Sequence, residues 1–269
     1  MHPDWKRICD AFLTATSYSP EEMEEGWKDR SYDRENRPAT YLTYPDAPVR
    51  VELGEPSLPP TPDLWAVLRG RRSKRNFLPE PVTLDELNCM LWGSQGIVQD
   101  MGNYQLRTAP SAGALYPIET YLVVNNVEGL QPGLYHLDVR GWALEGLRMG
   151  DLSDEACRAL LDQEAVRASG LTFLWTAVME RCEAKYYERA YRYVWWDVGH
   201  ISENISLVAT ALGLGACCMG AWHDSLVHEL IGIDGKEHFS ALTTAVGRIE
   251  GNDWLEDRRA PPKPSPDGG

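Results

Sequence analysis

Apolar residues recur along this chain with two different periods, and each period marks a kind of element. Thr83-Leu84-Asp85-Glu86 reads as a capping box, and Leu84, Leu87 and Leu91 follow at three- and four-residue steps, which predicts a helix. A second stripe, Val198, Ile201, Ile205, Val208 and Leu212, predicts a helix over 197–214, with Gly213 and Gly215 as its stop. An aromatic-rich helix is expected just before it, over 181–193. Short apolar runs at 119–125, 171–179 and 241–249 read as strands. Residues 133–137 and 142–145, joined by a turn over 138–141, read as a hairpin.

The ends carry weaker signals. Residues 1–60 read as an N-terminal arm or cap with one helix announced by Ser19-Pro20-Glu21-Glu22, followed by an extended proline-rich stretch over 48–62. Residues 251–269 hold four prolines and little to bury, so they read as a flexible tail. The folded body is thus expected over 61–250. Helices and strands are interspersed and no strand leads into a Gly-rich dinucleotide turn, so an α+β fold with central helices is favoured over a doubly wound Rossmann unit.

Composition narrows the function. The chain carries 26 Lys+Arg against 40 Asp+Glu, a net charge of −14, which argues against a general nucleic-acid binder. Ile205 to Trp222 runs 18 residues without formal charge, yet its glycines and hydroxyls and the lack of basic flanks argue against a membrane span. Six cysteines with no CxxC pair, and an N-terminus without a signal-peptide pattern, predict a cytoplasmic protein. Four histidines, His200, His223, His228 and His238, lack metal-ligand spacing, so no metal is expected.

Four segments could carry chemistry. In this acidic chain, Arg69 to Arg75 holds five basic residues in seven, a concentration suited to an anion or, more simply, to a solvated basic turn at a helix end. Pro110-Ser111-Ala112-Gly113-Ala114 is a run of small residues whose backbone a flat or charged ligand can approach, or an ordinary loop. In the Gly-rich segment after the long helix, the backbone of Gly220 and Ala221 invites more interest than Cys217-Cys218, which read as small buried residues. Lys185-Tyr186 is a pair able to move protons if buried, or else part of an aromatic packing face.

Together these segments resemble one family. RRSKRNF at 71–77, RTAPSAGALYPIE at 107–119, GLYHLD at 133–138, the run from Lys185 to Trp222 and AVGRI at 245–249 are similar, in order, to the FMN-dependent nitroreductase-like oxidoreductases, and within them to the SagB-type or azoline dehydrogenase branch. The resemblance implies a nitroreductase-like fold, a mostly antiparallel sheet flanked by helices, in a domain-swapped-style homodimer with FMN at the interface. It places Arg71 and Arg248 near the FMN phosphate, with Arg72 beside them. It puts Ser73 and Arg75 nearer the ribityl chain and the flavin edge, Pro110 to Ala114 on a loop reaching the flavin from the partner, and Gly220 and Ala221 near N5. Lys185 and Tyr186 match a proton-transfer pair.

The implied activity is oxidation of a thiazoline or oxazoline in a small molecule or peptide. An NAD(P)H-dependent nitro or quinone reductase of the same fold, or a non-catalytic scaffold of a modification complex, are the alternatives. Tyr187 stands where relatives commonly carry glycine, and Trp195-Trp196 where they carry smaller aliphatics.

Overall fold

Two strands, Ile118–Val124 and Leu171–Val178, are apolar along nearly their whole length rather than alternating, as expected of strands covered on both faces. They form the centre of the sheet. The computed structural model describes residues 4–18, 20 and 37–251. Its strands are β1 (Val49–Glu52), β2 (Ile97–Asp100), β3 (Gln105–Arg107), β4 (Ile118–Val124), β5 (Gly133–Asp138), β6 (Ala143–Met149), β7 (Leu171–Val178), β8 (Gly215–Met219) and β9 (His238–Gly247). Seven of them pair in the order β1-β6-β5-β4-β7-β9-β8, antiparallel throughout, while β2 and β3 make a separate two-stranded sheet. The fold is α+β with a central antiparallel sheet, as expected.

The helices are α1 (Trp5–Ala15), α2 (Leu64–Gly70), α3 (Leu84–Gln95), α4 (Ser153–Ala159), α5 (Glu164–Ala168), α6 (Met179–Tyr186), α7 (Ala190–Ala211) and α8 (Asp224–Ile231). Side chains alternate across β4, so Ile118, Leu122 and Val124 meet Leu87 and Leu91 of α3 and Val194, Val198 and Ile205 of α7 on one face. Tyr121 and Val123 meet α4 and α8 on the other. α3 begins with the expected capping box between Thr83 and Glu86. It lies so close to α7 that a Cβ on Gly93 would stand 2.6 Å from Val208 Cγ2.

The break between the two predicted helices falls elsewhere than expected. α6 ends at Tyr186, Tyr187 takes a positive φ of 52°, and a short 3₁₀ turn leads into α7, which passes through 193–197 without interruption. Its buried positions Ala190, Val194, Val198, Ile201 and Ile205 form one continuous stripe. Trp195 and Trp196, exposed between them, obscure that stripe in the sequence. At 22 residues α7 spans about 33 Å. Among the described residues no helix is long and apolar enough to cross a membrane.

Other elements had no counterpart in the pattern. The segment read as merely Gly-rich contains β8, an edge strand on which Cys217 is buried and Cys218 exposed. In the N-terminal region α1 forms at 5–15, while the helix expected from Ser19 and the tail expected over 251–269 lie almost wholly outside the described residues. α1 is tied to the start of α7 through Arg189, which donates to the Thr16 carbonyl at 2.6 Å, and Arg192, which donates to the Leu13 carbonyl at 3.0 Å.

Candidate active site

α2 ends at Gly70, and the basic segment follows it in extended form along the sheet edge. The Lys74 N–H donates to the Ala216 carbonyl at 2.9 Å, and Ser73 bridges the same residue of β8. Ser73, Lys74, Arg75 and Asn76, with Ile249 and Glu250, line an open cavity of about 800 Å³. Arg71 Nε stands 3.5 Å from Glu203 on α7. Arg72 turns back onto the carbonyl of Arg71 at 2.7 Å. Ser73 and Arg75 are thus brought to one cavity, and the cationic density beside it is set by the sequence cluster itself.

Arg248 is placed differently from the expectation. Its two terminal nitrogens donate to the Glu86 carboxylate at 2.8 and 2.7 Å, and Nε donates to the Pro81 carbonyl at 2.9 Å. In this conformation the guanidinium binds the start of α3 to the exit of β9, and it braces the wall formed by Ile249 and Glu250 rather than offering a free fork to a phosphate. Gly220 and Ala221 follow β8 directly, and a Cβ on Gly220 would meet nothing within 4 Å.

On another flank of α7 the loop 110–114 meets the Lys185-Tyr186 pair. Gly113 has φ +63°, and a Cβ there would stand 2.7 Å from Tyr186 Oη and 2.8 Å from Lys185 Nζ. Two segments some 70 residues apart in sequence therefore close on each other at a position whose positive φ favours glycine. Tyr186 stands edge-on to Tyr193 with ring centroids 4.6 Å apart, and that ring leads on to exposed Trp196 at 5.3 Å. Burial pushes the Tyr186 hydroxyl up to about 12, so it stays protonated near neutral pH.

The residue that sequence reasoning missed is Asp197. Its carboxylate, 4% exposed, accepts from the Ser111 hydroxyl at 2.6 Å and from the Ala112 N–H at 3.2 Å. Burial raises its carboxyl to about 6 against the opposing effect of those two donors. The signal was present: an acid flanked by Val194, Val198 and Ile201 on the buried stripe of α7 needs a partner. A buried charge chain beneath the loop was equally hidden. Arg181 donates to the Tyr116 carbonyl at 3.0 Å and pairs with Glu119 at 2.6 Å, and His136 bridges Glu119 and Glu145 at 3.0 and 2.9 Å. Burial would raise Glu119, but Arg181, His136 and Arg107 outweigh it and hold the carboxyl at about 2.

α7 carries both half-sites. Asp197 holds the loop and Glu203 approaches Arg71, six positions further on, so the two attachment points lie about 9 Å apart along the helix and about 120° around it.

The model of the nitroreductase family matches residues 68–248. The chain belongs to the nitroreductase family. It is 34% identical over 182 residues to a Methanocaldococcus jannaschii protein named as a nitroreductase, MJ1384, covering 68% of this chain and 89% of that one. It is 31% identical to the trifolitoxin-processing protein TfxB of Rhizobium leguminosarum bv. trifolii, over 58% of this chain and 45% of TfxB. The microcin B17-processing protein McbC of Escherichia coli is also 31% identical, over 56% of this chain and 57% of McbC. The chain therefore spans about half the length of those two processing proteins. Among solved structures, a nitroreductase from Anabaena variabilis ATCC 29413 superposes with a TM-score of 0.73 at 26% identity, over 94% of this chain and 48% of that one. The E. coli microcin synthetase McbBCD complex shares the fold, with a TM-score of 0.58 at 21% identity over 93% and 95% of the two chains.

The likeness to the processing proteins agrees with the SagB-type branch of this oxidoreductase family. Nitroreductases generally bind flavin as FMN, and the residues present suit that group. A hydroxyl and two cations on one open cavity match a phosphate, and the backbone at Gly220, where a Cβ would meet nothing within 4 Å, leaves room for a flat group.

Proposed function

We propose that this nitroreductase-family chain is an FMN-dependent dehydrogenase that oxidises an azoline ring, thiazoline to thiazole or oxazoline to oxazole, in a small molecule or peptide. The observation that carries the reading is the contact of Gly113 with Lys185 Nζ and Tyr186 Oη, which joins the expected flavin loop to the expected proton-transfer pair. Arg71, Arg72, Ser73, Lys74 and Arg75 hold the phosphate and ribityl end, and Gly220 and Ala221 offer open backbone beside the ring. Bound FMN supplies a two-electron acceptor.

The chain's own residues supply the rest. Lys185 takes the proton from the ring carbon undergoing oxidation. Tyr186, whose hydroxyl stays protonated, donates a hydrogen bond that orients the substrate and does not act as the base. The two half-sites face different flanks of α7, so a complete site is formed when a second copy brings its 110–114 loop to the cationic cavity. Exposed apolar faces on α1, on α2 at Trp65 (67% exposed) and on α7 at Trp196 (51% exposed) support such a homodimer.

Flavin fluorescence followed during FMN titration, then turnover of an azoline peptide, tests the reading. Stoichiometric binding is expected, with Lys185→Ala reducing turnover at least about 100-fold while FMN stays bound. Unchanged turnover in that variant removes the role of Lys185. The 34% identity to MJ1384 favours a second reading, an NAD(P)H-dependent nitro or quinone reductase. Rapid bleaching of bound flavin by NAD(P)H, with nitroaromatic but no azoline turnover, decides for it. Failure to bind FMN at all leaves a non-catalytic scaffold.

A further inference from the structure

We infer that Asp197 is the positioning residue of this site: its buried carboxylate clamps the 110–114 loop onto Lys185 and Tyr186 and thereby sets the loop's competence to meet the cofactor. The role in cofactor contact rests on the flavin reading above, whereas the clamp itself rests on geometry alone. Both carboxylate oxygens are used, Oδ2 by the Ser111 hydroxyl at 2.6 Å and Oδ1 by the Ala112 N–H at 3.2 Å. The Ser111 oxygen in turn accepts from the Tyr116 N–H at 2.9 Å. One side chain on a rigid helix thus holds the loop at Ser111 and Ala112 and, through the Ser111 hydroxyl, at Tyr116.

The loop needs such a clamp. Gly113, Ala114 and Tyr116 all have positive φ, at 63°, 54° and 48°, and for the two residues with side chains this backbone is strained. Ala114 and Tyr116 also line a cavity of about 470 Å³, so the released loop has space to enter. Without Asp197 the strain and the open space both draw Gly113 away from Lys185 and Tyr186.

The clamp responds to pH. The groups that act electrostatically on Asp197 or feel its charge are Tyr116 from the loop, Cys182 and Tyr186 from α6, and His200 on its own helix. Burial leaves its carboxyl titrating at about 6, above the ordinary 3.8. The ionised form accepts both donors, so the clamp holds above pH 6 and loosens below it. The sign for global stability is opposite: because the folded value is raised, ionisation costs the fold stability as pH rises from about 4 to about 6. A residue retained only for stability does not behave this way.

Hydrogen exchange over 108–117, thermal unfolding and FMN titration on the full chain test the inference. Asp197→Asn is expected to speed exchange of the Ala112, Ala114 and Tyr116 amides at least about tenfold and to weaken FMN binding by a similar factor, without lowering Tm at pH 8. Ser111→Ala, which keeps the charge, moves both in the same direction by less, and the double variant is less than additive. In the wild type FMN binding weakens below pH 6, and in Asp197→Asn that dependence is lost. Loop exchange unchanged in Asp197→Asn, or faster exchange across the whole chain with a fall in Tm, overturns the clamp. Wild-type protein that binds no FMN rejects the flavin reading, and the exchange data still decide the clamp.

Discussion

At the scale of single residues the site turns on Gly113. Its φ of +63° strains any residue with a Cβ, and a Cβ there would stand 2.7 and 2.8 Å from Tyr186 Oη and Lys185 Nζ, so those side-chain ends would have to shift. Gly113→Ala is therefore expected to cost about 1–3 kcal/mol in stability, measured by urea unfolding, and to displace Lys185 from the loop. Azoline turnover that is unchanged in this variant contradicts that displacement. The glycine was legible in the sequence as part of a small-residue run. Its reason was not, because the atoms that crowd a Cβ come from the end of α6.

Elements were legible where a local rule set them. The start of α3 was readable from Thr83 and Glu86 because a capping box closes within four residues. What that box also does was hidden: the Glu86 carboxylate accepts from the Thr83 N–H and also from both terminal nitrogens of Arg248, 162 residues away. Glu86→Ala removes the reciprocal half of the capping box and strands a half-buried guanidinium together, and a loss of about 2–4 kcal/mol is expected by chemical denaturation. A loss no larger than that of Thr83→Ala, about 1 kcal/mol, shows that the Arg248 pair contributes nothing. The long helix shows the converse failure. Trp195 and Trp196 interrupt the apolar stripe in sequence, yet both lie on the exposed side, so the helix runs through them and the chain breaks instead at Tyr187.

At the scale of the molecule, the described chain leaves apolar area uncovered along α1, α2 and α7, and its two half-sites diverge around α7. The homodimer proposed above covers the first and joins the second. Trp65→Glu, on the exposed face of α2, is expected to shift the protein from dimer to monomer in sedimentation velocity and to weaken FMN binding in parallel. A monomeric wild type with full FMN affinity removes the shared-site arrangement.

Periodicity, caps and glycine stops act over a few residues, so the sequence alone determined the central strands, the hairpin of β5 and β6, α3, the end of α7 and the family. It also grouped Ser73 and Arg75, since the cluster is contiguous. Contacts between distant segments depend on how the sheet closes and which flank each helix presents, and only the tertiary structure decided those. It brought Gly113 to Lys185, tied Arg248 to Glu86, and linked Glu119, His136 and Glu145 into one buried chain. It set Asp197 beneath the loop for the same reason: a buried acid announces in sequence that it needs a partner, but the partner is chosen by the fold.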